Sequence, residues 1–351
     1  MSSDPWTTRT IACTVRVMAT ITPHATMSAV QHDRYGGPEV LHVGEAATPV
    51  PADDEVLVEV HVATVNRTDC GFRLPRPFIV RFFSGLRRPK FRILGTEFAG
   101  VVVAKGPRVT KFEIGDRVFG VNERFGANAE FMCVRQDVSI ATMPHDRSFA
   151  EMAAVGDGGI LAMTCLNWSD LRAGQRILIY GASGAIGTAA VQLAKHCGAH
   201  VTAVCATGSA EMVASLGPDV VIDYEQTDFT ATGETYDVVF DAVGKSSFRR
   251  CRALVRPGGK YVSTDLGFMW QNPALAVLTV KLAPKQVLMP LPKYSQDKVE
   301  TLRSLVESGD FRAVVDRTYP LGEVVEATRY VESHQKQGNV LLLVTAEPAT
   351  R

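Results

Sequence analysis

The stretch that most narrows what this chain can become is RILIYGASGAIGTAAVQLAKHCG, residues 176–198. An apolar strand runs straight into glycines spaced by three, Gly181, Gly184 and Gly187, and then into a helical pattern that stops at Gly198. Glycines at that spacing let the backbone turn tightly, let it approach a bound group, and let a helix pack close to a strand. Ser183, Ala185 and Ile186 fill the turn and the helix start, where free N–H groups and the positive dipole end favour an anion. A second strand, HVTAVCA, follows directly. The spacing therefore predicts a β-α-β unit that cradles a dinucleotide pyrophosphate.

The surrounding texture agrees. From about Phe149 onward, short apolar runs (RILIYGA, HVTAVCA, VVIDY, YDVVFDAVG, KYVSTDLG) alternate with helical segments, the pattern of a doubly wound parallel sheet. Residues 28–140 read differently, as short strands separated by glycine turns. VLVEVHVATV alternates apolar and polar positions as a half-buried strand does, and FAGVVVAKG, GDRVFGV and AEFMCV follow in the same style. The expected fold class is α/β, a twisted β-barrel domain joined to a doubly wound domain. The expected division is 1–26 an extension without fold, 27–148 and 291–351 the barrel domain, and 149–290 the nucleotide-binding domain. After residue 291 a helix (296–308), a short strand at 314–315 and a terminal NVLLLV strand return to the barrel.

The second strand bears on which dinucleotide is held. A site for NAD places an acid at its end for the ribose hydroxyls. Here CATGS follows, with no acid before Glu211. Thr207 and Ser209 leave room for a 2′-phosphate and can donate to it, and Tyr224 can close the same pocket. The reading is NADPH over NADH, although no Arg or Lys stands in this loop.

Charge and composition exclude several classes. Lys plus Arg equals Asp plus Glu at 37 each, so no overall field favours nucleic acid or an anionic membrane. No apolar run reaches the roughly 18 residues of a membrane span. The seven cysteines are scattered, with no C-x-x-C pair, which points to free thiols in a reducing cytoplasm. The first 26 residues, rich in Thr and Ala, read as an extension without fold upstream of a start at Met27, with a targeting peptide as the lesser reading.

The order of parts resembles the medium-chain dehydrogenase/reductase superfamily. GASGAIG, ILGTEFAGVVVAKGPRVTKFEIGDRVFG and FDAVG together look like its zinc-independent, quinone oxidoreductase-like branch, with a GroES-like barrel and a Rossmann domain, over about residues 27–344. The resemblance implies cofactor contacts at Val243 and Gly244 in FDAVG, at Leu266 and Gly267 in TDLG, and at Asn339 in GNV. It also bears on NRTDC, residues 66–70. Zinc alcohol dehydrogenases of the superfamily carry Cys where Asn66 stands and His where Thr96 stands, and an amide and a hydroxyl do not replace thiolate and imidazole as tight zinc ligands. The resemblance thus implies a metal-free site, with Cys70 a packed thiol.

Without a metal, the easier hydride acceptors are quinones and α,β-unsaturated carbonyls, in which the developing charge spreads over a conjugated system. Asn66 is the expected hydrogen-bond donor to the acceptor oxygen, and Asp69 and Arg73 the residues that hold its loop, as a structural ion pair. Related reductases carry a tyrosine where Gly71 stands. Phe72, Phe268 and Trp270 are candidates for the substrate pocket. An enoyl-thioester or ketone/alcohol substrate on the same scaffold stays open, as does a non-enzymatic NADPH-binding role, structural or RNA-binding. Residues 73–92 hold seven basic residues and no acid, read first as a solvated loop that Phe78, Phe82 and Phe83 anchor to the barrel, with a mouth for an anionic substrate or the cofactor phosphate, and a membrane-surface role, as the alternatives. The histidines show no ligand spacing. The apolar KQVLMPLP predicts a sheet edge that pairs with its copy in a homodimer. The expected partner is a small molecule, with neither nucleic acid nor stable membrane association.

Overall fold

The computed structural model of the protein describes residues 25–75, 78, 80–266, 271–279 and 284–345. The chain opens with a two-stranded ribbon, β1 (Thr26–Gln31) against β2 (His42–Ala47). β3 (Glu55–Val65) then becomes the spine of a seven-stranded sheet. It pairs antiparallel with β4 (Glu97–Lys105) and with β6 (Phe131–Arg135), while β5 (Arg117–Val121) and β7 (Ser139–Thr142) extend the far side. Two short helices interrupt the run between β3 and β4: α1 (Arg67–Arg73) and α2 (Val80–Ser84).

The half-buried alternation expected of β3 is not what forms. From Val56 to Val65 every residue except Glu59 is buried. The strand is central, so both of its faces are covered. Val58 and Val60 enter the barrel core, Leu57 packs with Met27 and Ala29 of the ribbon, and Val62 joins the cluster shared with the second domain.

That second domain begins with α3 (Phe149–Ala153) and α4 (Gly156–Ser169). The helical stretch Phe149–Ser169 is long and apolar enough to cross a bilayer by composition, but it is mostly buried within the protein, which accounts for its hydrophobicity. The parallel sheet follows as β8 (Arg176–Tyr180), α5 (Ala185–His196), β9 (His200–Cys205), α6 (Ala210–Ala214), β10 (Val220–Asp223), β11 (Tyr236–Asp241), α7 (Phe248–Cys251), β12 (Val255–Ser263), α8 (Gln271–Thr279) and β13 (Gln286–Leu288). Its spatial order is β10-β9-β8-β11-β12-β13, every pairing parallel. The order reverses between β8 and β11, and a crevice opens there at the carboxyl ends of the strands.

The chain then returns. α9 (Gln296–Ser308) packs on α4, and β14 (Val315–Pro320), α10 (Val324–Glu332) and β15 (Asn339–Leu343) complete the barrel, with β15 antiparallel to β3. The strand expected at 314–315 is in fact six residues long. Leu302 of α9 is fully buried, and a Cβ added at Gly159 of α4 would lie 2.8 Å from its methyl carbons. This contact sets the height of α4, which carries Asp157 into the interdomain cleft. Leu302→Ala is expected to cost about 2–5 kcal/mol of unfolding free energy, measured by denaturant titration with an unchanged slope.

Candidate functional site

Between the two domains lies a cleft of 340 Å³. One wall is the glycine turn. Gly181 has φ +78°, and a Cβ on Gly187 would fall 2.1 Å from the Gly181 carbonyl oxygen, so helix and strand approach as closely as they do only because residue 187 is glycine. α5 starts at Ala185 behind Gly184 with no side-chain cap, leaving its first N–H groups to a ligand. The Ser183 carbonyl accepts from Gly338 N at 2.7 Å, so the strand bearing Asn339 is fastened to the turn. These residues fit a dinucleotide pyrophosphate. Gly181, Ser183, Gly184, Ala185, Ile186, Tyr224, Val243 and Asn339 all line the cleft.

Other expected cofactor residues fall elsewhere or do different things. Leu266 borders a separate, smaller cavity with Thr264 and Met289. Gly244 donates its N–H to Asp241 at 2.9 Å, shaping the loop after β11. Asn339 gives its amide N–H groups to the Ala154 and Val314 carbonyls, so its side chain ties the domains together. Gly267, Phe268 and Trp270 lie outside the described residues.

The adenosine end holds acids that the local sequence did not reveal. Thr207 donates its hydroxyl to Asp223 at 2.5 Å and its N–H to Glu225 at 3.1 Å. No acid ends β9 itself, but the parallel register sets Asp223 beside Cys205, so the end of β10 supplies them. Of the donors expected to meet a 2′-phosphate, Thr207 is engaged by carboxylates and Ser209 is buried.

The opposite wall comes from the barrel. Asn66 caps α1: its side-chain oxygen accepts from Asp69 N at 3.0 Å, and the Asp69 carboxylate accepts from Asn66 N at 3.0 Å, a reciprocal capping box. The other Asp69 oxygen accepts from Gly95 N at 2.9 Å. Asn66 Nδ2 then donates to Thr96 Oγ1 at 3.0 Å. The expected Asp69–Arg73 ion pair does not form. Arg73 is buried and instead bonds the Gly36 carbonyl and Glu332 of α10, so both residues hold the loop through other partners. Phe72 is no part of this cleft; it packs on Phe125 and Phe91, with centroids at 4.7 and 6.2 Å. Beside Gly71 there is open space. Cys70 packs against the barrel core, and burial pushes its thiol up to about 12, the behaviour of an inert thiol.

Several titratable residues that the sequence did not single out line the cleft, Glu97, Asp157 and Lys336 among them. Glu97 accepts from Thr64 Oγ1 at 2.6 Å and from Asp157 N at 2.7 Å; Asp157 accepts from Tyr294 at 2.5 Å. Burial raises Glu97 to about 8 and raises Asp157 as well. Lys336 donates to the Gly338 carbonyl at 2.5 Å, and burial pushes its ammonium down to about 8. Arg67 and Lys245 line the same space. A signal existed for Glu97, next to Thr96 in GTEF, but nothing local marks Asp157 or Lys336. As metal ligands the set fits poorly: at the two zinc positions stand an amide and a hydroxyl bonded to each other, and no group of three His, Cys, Asp or Glu among the described residues could hold an ion.

With barrel, crevice and glycine turn in place, comparison with known proteins gives the class. Residues 52–170 match the family profile of the alcohol dehydrogenase GroES-like domain, and residues 216–342 that of the zinc-binding dehydrogenases. The chain is 30% identical over 329 residues to a 2-methylene-furan-3-one reductase of Solanum lycopersicum, covering 90% of this chain and 79% of that one. It is 31% identical over 328 residues to a chloroplast envelope quinone oxidoreductase homolog of Arabidopsis thaliana, covering 88% and 96%. The solved quinone oxidoreductase of Coxiella burnetii superposes with a TM-score of 0.81 at 26% identity, over 91% of this chain and all of that one. The chain belongs to the medium-chain dehydrogenase/reductase superfamily. Within it, the chain falls in the quinone oxidoreductase-like branch and is an NAD(P)H-dependent oxidoreductase.

The raised Glu97 carboxyl has a measurable consequence. Between its ordinary value, 4.5, and about 8 the folded chain keeps a proton here that the unfolded chain has lost, so this group's contribution to stability declines as pH rises through that window. In Glu97→Gln the amide can still accept from Asp157 N and donate to Thr64. The variant is expected to gain stability relative to wild type from pH 5 to pH 8, in thermal melts across that range.

Proposed function

We propose that the protein transfers hydride from NAD(P)H to a quinone or an α,β-unsaturated carbonyl without zinc. The carrying observation is the Asn66–Thr96 hydrogen bond, which occupies with neutral groups the place where a zinc enzyme keeps its ligands. The nicotinamide supplies the hydride. The chain's own residues hold the cofactor on the glycine turn and offer donors to the acceptor oxygen. Asn66 is the amide donor, with Arg67 and Lys336 as the cations of the same cleft. The names of the tomato and Arabidopsis relatives support this substrate class.

NADPH is the favoured form, supported by the small residues Thr207 and Ser209 and by Tyr224 at the pocket edge. Asp223 and Glu225 oppose it, since a carboxylate close to a phosphate is repulsive. The exposed Val277, Leu278 and Leu291 near edge strand β13 support a homodimer built on that edge. A reducing, cytoplasmic setting suits the six cysteines that are free thiols among the described residues.

Metal-stripped protein is expected to oxidise NADPH with quinones and enones, unaffected by chelator. Asn66→Ser, which keeps a capping oxygen but loses the amide, is expected to lower kcat about 10²-fold with the melting temperature nearly unchanged. Turnover that requires added zinc would overturn the reading. Separately, kcat/KM for NADPH should exceed that for NADH, and Glu225→Gln should widen the gap; a narrowed gap would remove Glu225 from cofactor choice. Light scattering at twice the monomer mass checks the dimer.

A further inference from the structure

The basic segment between α1 and β4 does not do what its sequence implied. Phe78, Phe82 and Phe83 do not anchor it to the barrel: they are 66%, 67% and 69% exposed, and Leu86 beside them is 58% exposed. Phe78 and Phe82 touch edge to face, with centroids at 6.2 Å, so they form one apolar surface rather than scattered single side chains.

The hairpin beneath them is fastened. Ser84 is buried and bonded to Tyr35 Oη at 2.9 Å, Tyr35 donates to the Gly85 carbonyl at 2.6 Å, and Lys90 N donates to the Ser84 carbonyl at 2.6 Å. Arg81 lies over the Tyr35 ring at 4.8 Å and donates to the Leu86 carbonyl at 2.9 Å. The fold therefore holds the rings outward. Around them the charge is of one sign: no acid stands between Arg73 and Glu97. Arg87, Arg88 and Lys90 are exposed, and Arg87 and Arg88 form no ion pair with any described residue. Among the described cations of the segment, Arg73 is paired with Glu332 and Arg92 with Asp33.

We propose that this hairpin docks the protein reversibly on an anionic lipid surface, with Phe78, Phe82, Phe83 and Leu86 entering the headgroup–acyl boundary and Arg87, Arg88 and Lys90 meeting the lipid charges. Apolar rings at the tip with cations at the flank match a bilayer interface, where each group finds its own layer. A nucleic acid would call for a basic groove in which bases stack, whereas Phe82 and Phe83 stand on the five-residue helix α2 with Phe78 just before it. The hairpin is inserted in the chain between Asn66 and Thr96, the pair that forms the barrel wall of the cleft. Docking there would seat the site next to a bilayer in which lipophilic acceptors dissolve.

The test uses purified full-length protein and flotation with two vesicle types: phosphatidylcholine alone, and phosphatidylcholine with roughly one third phosphatidylserine. Binding is expected to the anionic vesicles only, and to weaken as salt is raised. Arg87→Gln with Arg88→Gln is expected to lower partitioning about 25-fold, at about fivefold per cation. Phe82→Ser with Phe83→Ser should abolish it at unchanged charge; melts of both variants confirm that they fold. Equal binding to neutral vesicles, no binding, or binding unchanged in either variant overturns the proposal. So does binding to a single-stranded RNA oligonucleotide in place of vesicles, or self-association lost in the Phe variant. None of these readouts uses reductase activity, so they stand or fall apart from the function proposed above.

Discussion

One carboxylate organises the barrel wall of the cleft. Asp69 accepts from the N–H of Asn66 with one oxygen and from the N–H of Gly95 with the other. It thereby joins the start of α1 to the turn before β4, two segments about thirty residues apart in sequence. The Asn66–Thr96 hydrogen bond exists because of that bridge. Burial lifts Asp69 to about 7 although both donors favour the charged form. Two backbone N–H groups thus offset only part of the desolvation of an enclosed carboxylate, and the geometry of the wall depends on a group whose charge is marginal at neutral pH. Arg73, four residues on, anchors the other end of α1 to Gly36 and to α10.

Much of this was legible in the sequence because it is local. The glycine turn, its flanking strand and helix, and the exposed helix N-terminus all lie within 176–198, and backbone sterics alone dictate them. The helix at 296–308 was equally plain from its periodicity and appears with those bounds. The metal question could also be posed locally, since Asn66 and Thr96 each sit in a recognisable motif. What failed was pairing. Asp69 and Arg73 are four apart on a short helix, a spacing that suits an ion pair, yet each is claimed by a backbone group or side chain from far along the chain. A pairwise rule for isolated helices loses to burial when both members are enclosed.

The adenosine pocket teaches the same lesson in a sheet. Reading along β9 finds no acid at its end, and that observation is correct. Parallel neighbours nevertheless bring their carboxyl ends to one edge, so the pocket belongs to β9 and β10 jointly. Asp223, paired in register with Cys205, counts as a residue of the β9 end in every electrostatic sense. The Phe78, Phe82 and Phe83 hairpin erred in the opposite direction. Aromatic residues in a polar loop read as anchors because most large apolar side chains are buried; only packing reveals that Ser84 and Tyr35 do the anchoring.

The cleft shows how a barrel wall without zinc ligands can still suit a reaction that creates negative charge. A count of formal charges gives Glu97 and Asp157 against Arg67, Lys245 and Lys336, close to balance. Burial alters that count. Burial raises both Glu97 and Asp157, which disfavours their charged forms, while Lys336 is lowered only to about 8. The effective field at the cleft floor is therefore more positive than the sequence indicates. Moderate cations in a desolvated space stabilise a delocalised anion through several weak contacts, whereas a localised alkoxide calls for one strong Lewis acid. That difference favours conjugated acceptors on physical grounds independent of any relative. The acids are themselves engaged inside: Glu97 accepts from Thr64 and from Asp157 N, and Asp157 accepts from Tyr294.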